Sequence, residues 1–148
     1  MALIDNLRSR SFRFYPLMDD PYCAVVPSGL IDARTHALTV DELLALPFLM
    51  GTQNALELLL PRIPENCITV DCDGDETLLT MVQKGLGVTA LPQLSAADLP
   101  EGVRAIPIVP EIGRILGIAL ANSPSEPARR FADFLQEFLT ADSPEEMP

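Results

Sequence analysis

The sequence predicts an α/β protein with a largely parallel sheet, and three observations carry that expectation. Strand-like and helix-like runs alternate along most of the chain. One unit, Asp75 to Pro92, reads as a helix, a glycine stop and a strand in direct succession. Apolar residues make up 48% of the 148 positions, enough for a real core in one domain, or in two small lobes that share a crossing chain.

Taken in order, residues 1 to 11 have weak character; Leu3, Ile4 and Leu7 would suit a helical turn or a frayed arm. Phe12 to Leu17 alternates aromatic and other residues as a strand does. Asp19-Asp20-Pro21 predicts a turn or kink, and Tyr22 to Val26 a second, more buried strand stopped by Pro27-Ser28-Gly29. Two strands joined by a kink suggest one path passing between two bodies. His36 falls in the loop that follows.

Thr39 with Glu42 three residues on is a capping box, opening a short helix that ends before Pro47. Phe48-Leu49-Met50 is a short strand, Gly51 to Asn54 a polar turn, and Ala55 to Leu60 a helix stopped at Pro61. Cys67 to Val70 is a strand, and Asp71 to Gly74 an acidic turn. Asp75 and Glu76 favour a helix start through the dipole. Leu78, Leu79, Val82 and Leu86 recur at helical spacing. Gly85 ends that helix, because a left-handed cap costs glycine least. Val88 to Leu91 is short, apolar and partly β-branched, as a buried strand is.

Val103 to Val109 is a strand interrupted by Pro107, and therefore an edge. Arg114 to Ala121 is apolar enough to be central. Ala128 to Thr140 is the longest amphipathic helix, with Phe131, Phe134, Leu135 and Phe138 at helical spacing. Residues 141 to 148 form an acidic, proline-rich tail predicted to be disordered.

Composition excludes several classes. The formal charge is −11, so the chain by itself is a poor partner for a phosphate backbone. No apolar run reaches the ~18 residues of a membrane span, and Met1 to Asp5 is not a secretory signal. A cytoplasmic protein is the expectation. Cys23, Cys67 and Cys72 with the single histidine match no zinc pattern.

The order of segments resembles one family. Asp75 to Pro92 is similar to the helix, Gly-Leu-Gly, strand and Leu-Pro segment of the effector-binding domain of LysR-type transcriptional regulators. Pro16 to Pro27 resembles that family's crossover strand into the second lobe. His36-Ala37-Leu38, Val40 to Leu43 and Pro47-Phe48-Leu49 resemble the loop, helix and strand after it. Ile115 to Ala121, Ser123-Pro124 and Phe131 to Leu135 resemble the closing strand and helix. The match covers about Phe12 to Leu139. It implies a type 2 periplasmic-binding-protein-like fold: two α/β lobes, two crossover strands and a small-molecule effector in the cleft. Effector binding would then couple to oligomer arrangement, in a homodimer or higher oligomer, and so to transcription.

The resemblance divides the chain into a partial first lobe (12–25 and 92–140), a second lobe (26–91) and the tail (141–148). In the family a winged helix-turn-helix binds DNA. Neither it nor the opening βαβα of the first lobe is recognisable in this sequence, as in a truncated chain or a naturally short relative. The incomplete lobe would leave a sheet edge open to pairing.

Candidate ligand contacts follow from helix starts, where free N–H groups meet polar ligands. Thr52, Gln53 and Asn54 offer a hydroxyl and amides suited to a carboxylate-bearing effector; the alternative is a plain cap. Asp75 and Thr77 flank the next helix start, where the carboxylates would cap rather than hold an anion. By the resemblance, Val26, Pro27, Leu91 and Pro92 form the hinge, with Leu91 and Pro92 also bordering the cleft. No catalytic residue, metal or cofactor is assigned.

Other readings stand beside this one. Ile68 to Gly74 ends in D-x-D-G and resembles the first motif of haloacid-dehalogenase phosphatases, with Asp71 as nucleophile, Asp73 as acid/base and Mg²⁺ bridging to phosphate. The expected Thr after the glycine is replaced by Asp75-Glu76-Thr77. The same residues resemble a calcium loop without its twelfth-position Glu. Cys23 or Cys72 with His36 would make a nucleophile pair, although a strand cysteine is usually inert. A dimerisation fragment without ligand is the remaining alternative.

Overall fold

A computed structural model of the protein describes residues 2–5, 11–52, 56 and 63–141, with the backbone alone for 2–5 and 141. Its elements are β1 (Ala2–Asp5), β2 (Phe12–Pro27), α1 (Val40–Leu44), β3 (Leu49–Gly51), β4 (Ile68–Val70), α2 (Asp75–Gln83), β5 (Thr89–Pro92), β6 (Val103–Pro107), β7 (Gly113–Ala121) and α3 (Glu126–Ala141). The chain divides into two compact units, one of residues 1–20 and 114–148, the other of residues 21–113. The chain passes between them at Asp20/Pro21 and Gly113/Arg114. Residues 92–113, placed by the sequence reading with the first lobe, group with the second unit because β6 is laddered to β2.

The second unit is built on the latter half of β2. Tyr22 to Val25 pair antiparallel with β5, and Cys23 to Pro27 pair antiparallel with β6 on the other side. Successive side chains of a strand point to opposite faces. Tyr22, Ala24 and Val26 accordingly enter one cluster, with Leu43, Phe48, Ala90 and Ile106. Cys23 and Val25 enter another, with Leu49, Leu78, Val82 and Leu91. The β2 and β5 segments of this sheet are covered on both faces, which is why they read as apolar runs, whereas β6 alternates buried and exposed residues.

Two local predictions hold in atomic detail. Thr39 caps α1: its Oγ1 accepts from Glu42 N–H at 3.2 Å, and Thr39 N–H donates to Glu42 Oε2 at 2.8 Å. Gly85 closes α2 with φ of +74°. Its N–H donates to Val82 O and that of Leu86 to Met81 O, the two bonds of a Schellman cap. Leu86 lies beyond the cap and is exposed, so the apolar stripe of α2 ends at Val82.

Three expectations are corrected. Among the described residues the pairing is not largely parallel: β1–β7, β2–β5 and β2–β6 are antiparallel, β3–β4 is parallel, and single parallel bridges join Leu38 to Ile108 and Phe48 to Val88. The α/β class stands, because helices are interspersed among the strands; β5 and β6 are antiparallel to β2 because they return along it. Asp19-Asp20-Pro21 is no turn but the middle of a 16-residue strand. Asp20 is buried there, held by Arg114 at 2.9 Å, and Pro21 uses its carbonyl to accept from Gln93 N–H. Residues 2–5 form no helical turn; they pair antiparallel with β7. The predicted helix from Ala55 to Leu60 lies outside the described residues except for Leu56, which is buried. Residues 142–148 of the tail also lie outside them.

In the first unit β7 lies between β1 and β2, central as its composition predicts. Gly117 makes this possible, since a Cβ there would meet the Tyr15 carbonyl oxygen and the Phe14 ring at 2.4 Å. The helix α3 packs on this sheet, and of the predicted stripe Leu135 faces it while the three phenylalanines do not. Ala132 is buried with Ile118 and Leu120, and Ala128 and Leu135 pack against them. Phe131, Phe134 and Phe138 are 46%, 56% and 54% exposed. Periodicity gives a helix and a stripe but not which neighbouring rows face the sheet. Here the small alanines allow close approach.

Candidate functional site

The carboxyl ends of β3 and β4 bring together the polar residues of the second unit. The two strands are parallel, with Gly51 paired to Val70, so the residues that follow leave the sheet at the same end. Those residues are Thr52 and Asp71. Thr52 N–H donates to Val70 O at 3.0 Å, and Thr52 Oγ1 donates to Asp71 Oδ1 at 3.0 Å. Three residues beyond Asp71, α2 starts from Gly74, whose extended backbone carries no side-chain cap. A polar pair and an uncapped helix start therefore stand at the strand ends where open α/β sheets bind ligands.

This geometry specifies the chemistry of Thr52. Both of its donors are engaged, so it offers only acceptor capacity while Asp71 keeps the hydroxyl. Asp71 retains lone pairs for a ligand donor. A ligand carboxylate would have to take the Thr52 hydroxyl away from Asp71. Asp75, half-buried, and Glu76, exposed, add negative charge in the first turn of α2. Thr77 is exposed one residue further on.

Of the other predicted contacts, Gln53 and Asn54 lie outside the described residues. Leu91 is fully buried in the cluster with Leu78 and Val82, and its carbonyl accepts from Cys23 Sγ at 3.4 Å. Pro92 is buried opposite Tyr22. Val26 is buried opposite Arg104, and Pro27 is half-buried opposite Val103. All four lie within the second unit, inside the ladders of β2 rather than at the two crossing points.

The rival chemistries find little support. Asp73 is exposed, and no group of three or more His, Cys, Asp or Glu suited to a metal ion occurs among the described residues. Asp71, the proposed nucleophile, is the partner of Thr52. Cys23 is buried while His36 is exposed. Burial pushes the Cys67 thiol above its ordinary pKa, away from reactive thiolate.

Some structural supports of the site were not foreseen. Thr89 is fully buried, and its Oγ1 donates to Leu49 O at 2.8 Å, tying β5 to the strand that presents Thr52. A buried threonine within an apolar run is the only hint the sequence carries. Arg104 donates from Nη2 to the carbonyls of Asp32 at 2.7 Å and Ile31 at 3.2 Å, fixing the loop before α1. Nothing in sequence spacing marks that pair of partners.

Comparison with known proteins fits this fold. A family model described as LysR substrate binding domain matches residues 2–140. The chain belongs to the LysR substrate-binding domain family. Among solved structures, the reduced form of the OxyR regulatory domain from Pseudomonas aeruginosa is 24% identical, with a TM-score of 0.73, covering 94% of this chain and 71% of that one. The Synechocystis PCC6803 CcmR regulatory domain, in complex with 2-PG, is 15% identical with a TM-score of 0.72, covering 99% and 74%. A full-length BenM variant is 11% identical with a TM-score of 0.79, covering 97% of this chain and 51% of that one. These likenesses extend the type 2 periplasmic-binding-protein-like fold to this chain. No curated protein sequence matches it. No helix among the described residues is long and apolar enough to cross a membrane.

Proposed function

We propose that the chain is the effector-sensing module of a LysR-type transcription regulator and not an enzyme. It binds a small polar molecule and passes that event to the packing of a cytoplasmic homo-oligomer, whose DNA contacts belong to a winged helix-turn-helix. The observation that carries the reading is the Thr52–Asp71 pair beside the uncapped start of α2, at the carboxyl ends of a parallel strand pair. Gln53 and Asn54 follow Thr52 directly and complete the polar rim by sequence, with Asp75 and Thr77 on its other side. Leu91 lies in the cluster that packs against Val70 and Cys72 beside the rim, and Val26, Pro27 and Pro92 lie in the β2 ladders of the same unit.

A ligand with a hydroxyl or amine donor meets Asp71 as it stands; a carboxylate must compete with Asp71 for Thr52. Calorimetric titration with a panel of small hydroxy acids, amino acids and simple carboxylates tests this. Saturable binding by one member, lost in Thr52→Val, is the expected result. For a carboxylate ligand Asp71→Asn tightens binding, because the competing charge is gone. Failure of the whole panel to bind overturns the sensing role, and so does magnesium-dependent phosphatase turnover abolished by Asp71→Asn.

A further inference from the structure

The first unit holds a cavity that the sensing role does not use. It has a volume of about 320 Å³ and lies between the start of β2, the end of β7 and one side of α3. Its apolar lining includes the buried Leu120 and Ala132 with the half-buried Tyr15, and Asn122 and Gln136 add uncharged polar groups. Its charged lining is Arg13, Arg129 and Asp133.

The charge balance of this cavity is opposite to that of the chain. The whole sequence carries −11, yet the cavity is lined by two cations and one anion. Neither guanidinium is used up internally: among the described residues Arg13 and Arg129 form no ion pair or side-chain hydrogen bond. The neighbouring Arg130, by contrast, is bonded to Glu126 at 3.0 Å. Arginine presents a fork of donors that fits a carboxylate bidentately. Ligand pockets start at roughly 300 Å³ and pair an apolar lining with a few placed polar groups.

We propose that this cavity binds a small monocarboxylic acid with an apolar body. The body lies on Leu120, Ala132 and the Tyr15 ring, and the carboxylate meets Arg13 and Arg129. Asp133 sets selectivity. It repels a second carboxylate, so a dicarboxylate of the same length is rejected. This site is independent of the Thr52–Asp71 rim, and all its residues lie in the other unit.

Titration of the full chain with hexanoate, hexanamide and adipate tests the assignment, by calorimetry and by amide shifts of Leu120 and Ala132 in NMR spectra. Hexanoate is expected to saturate at millimolar concentration or below, with hexanamide and adipate at least tenfold weaker. Arg13→Met and Arg129→Met each weaken hexanoate at least tenfold without lowering Tm, since both side chains are exposed. Asp133→Asn brings adipate towards hexanoate. Thr52→Val leaves hexanoate binding unchanged, which separates this site from the effector rim. No saturable hexanoate binding overturns the proposal. Equal binding of hexanamide, or hexanoate binding that survives the double Arg13→Met/Arg129→Met variant, also overturns it.

Discussion

One strand, β2, runs through two different environments. From Phe12 to Asp19 no residue is buried, while Asp20 and Tyr22 to Val26 are. The second half is the spine of a sheet with helices and loops on both faces; the first half belongs to a unit whose buried cluster among the described residues is Ile118, Leu120 and Ala132. The difference shows that strand formation and core formation are separate achievements. Backbone pairing with β7 holds the first half extended, and apolar burial on both faces fixes the second. The outward phenylalanines of α3 belong to the same contrast. They give that helix an apolar row that the small cluster beneath it does not consume.

Breaking the contrast starts with the core of the second unit. Phe48 is fully buried, so Phe48→Ala is expected to cost about 3–5 kcal/mol in urea unfolding, while Phe134→Ala on exposed α3 costs well under ~1 kcal/mol. Equal losses at the two positions would show that the first unit has a core these contacts do not reveal.

Next comes the join at Asp20. Arg114→Met leaves a fully buried carboxylate without its arginine, and about 2–3 kcal/mol should be lost. That is less than a fully enclosed pair would lose, because the arginine is 25% exposed. Asp20→Asn with Arg114→Met should recover part of it, read from the same unfolding curves.

Gly117→Ala tests the first unit from inside its sheet. The added methyl meets backbone as well as a ring, so about 1–3 kcal/mol is expected, against almost nothing for Gly29→Ala, which faces open space.

The smallest effect belongs to the cap of α1. Removing the Thr39 side chain as Ala is expected to cost about 1 kcal/mol. Hydrogen bonds from the backbone N–H and then the hydroxyl of Thr39 lower the Glu42 pKa. A lowered carboxyl stabilises the fold above its unfolded pKa, and that contribution fades as pH falls through the folded value. The Thr39→Ala stability difference should therefore shrink in acid. A difference that grows on acidification would contradict the capping box.

The residues of the site were legible to differing depths. Thr52 was visible as a polar position after a short strand, because strand ends and turn residues are local signals. Its partner was not: Asp71 sits in an acidic turn that suggests a metal or phosphate motif, and only the parallel pairing of β3 with β4 brings it to Thr52. Leu91 and Pro92 looked like a hinge from the order of segments. The ladder with Tyr22 and Cys23 places them in the core instead of at a crossing point.

What the sequence determined by itself is local. The Thr39–Glu42 box, the Gly85 stop and the apolar runs of the second unit depend on neighbours within a few residues, or on composition alone. Tertiary structure decided the rest. Asp19-Asp20-Pro21 is strand, and the buried Asp20 within it is held by Arg114, 94 positions away. The direction of the β5 and β6 ladders follows from their return along β2, and the face α3 turns inward is the one that carries Ala128 and Ala132. These outcomes depend on residues far apart in the chain, and no short window of sequence contains both partners.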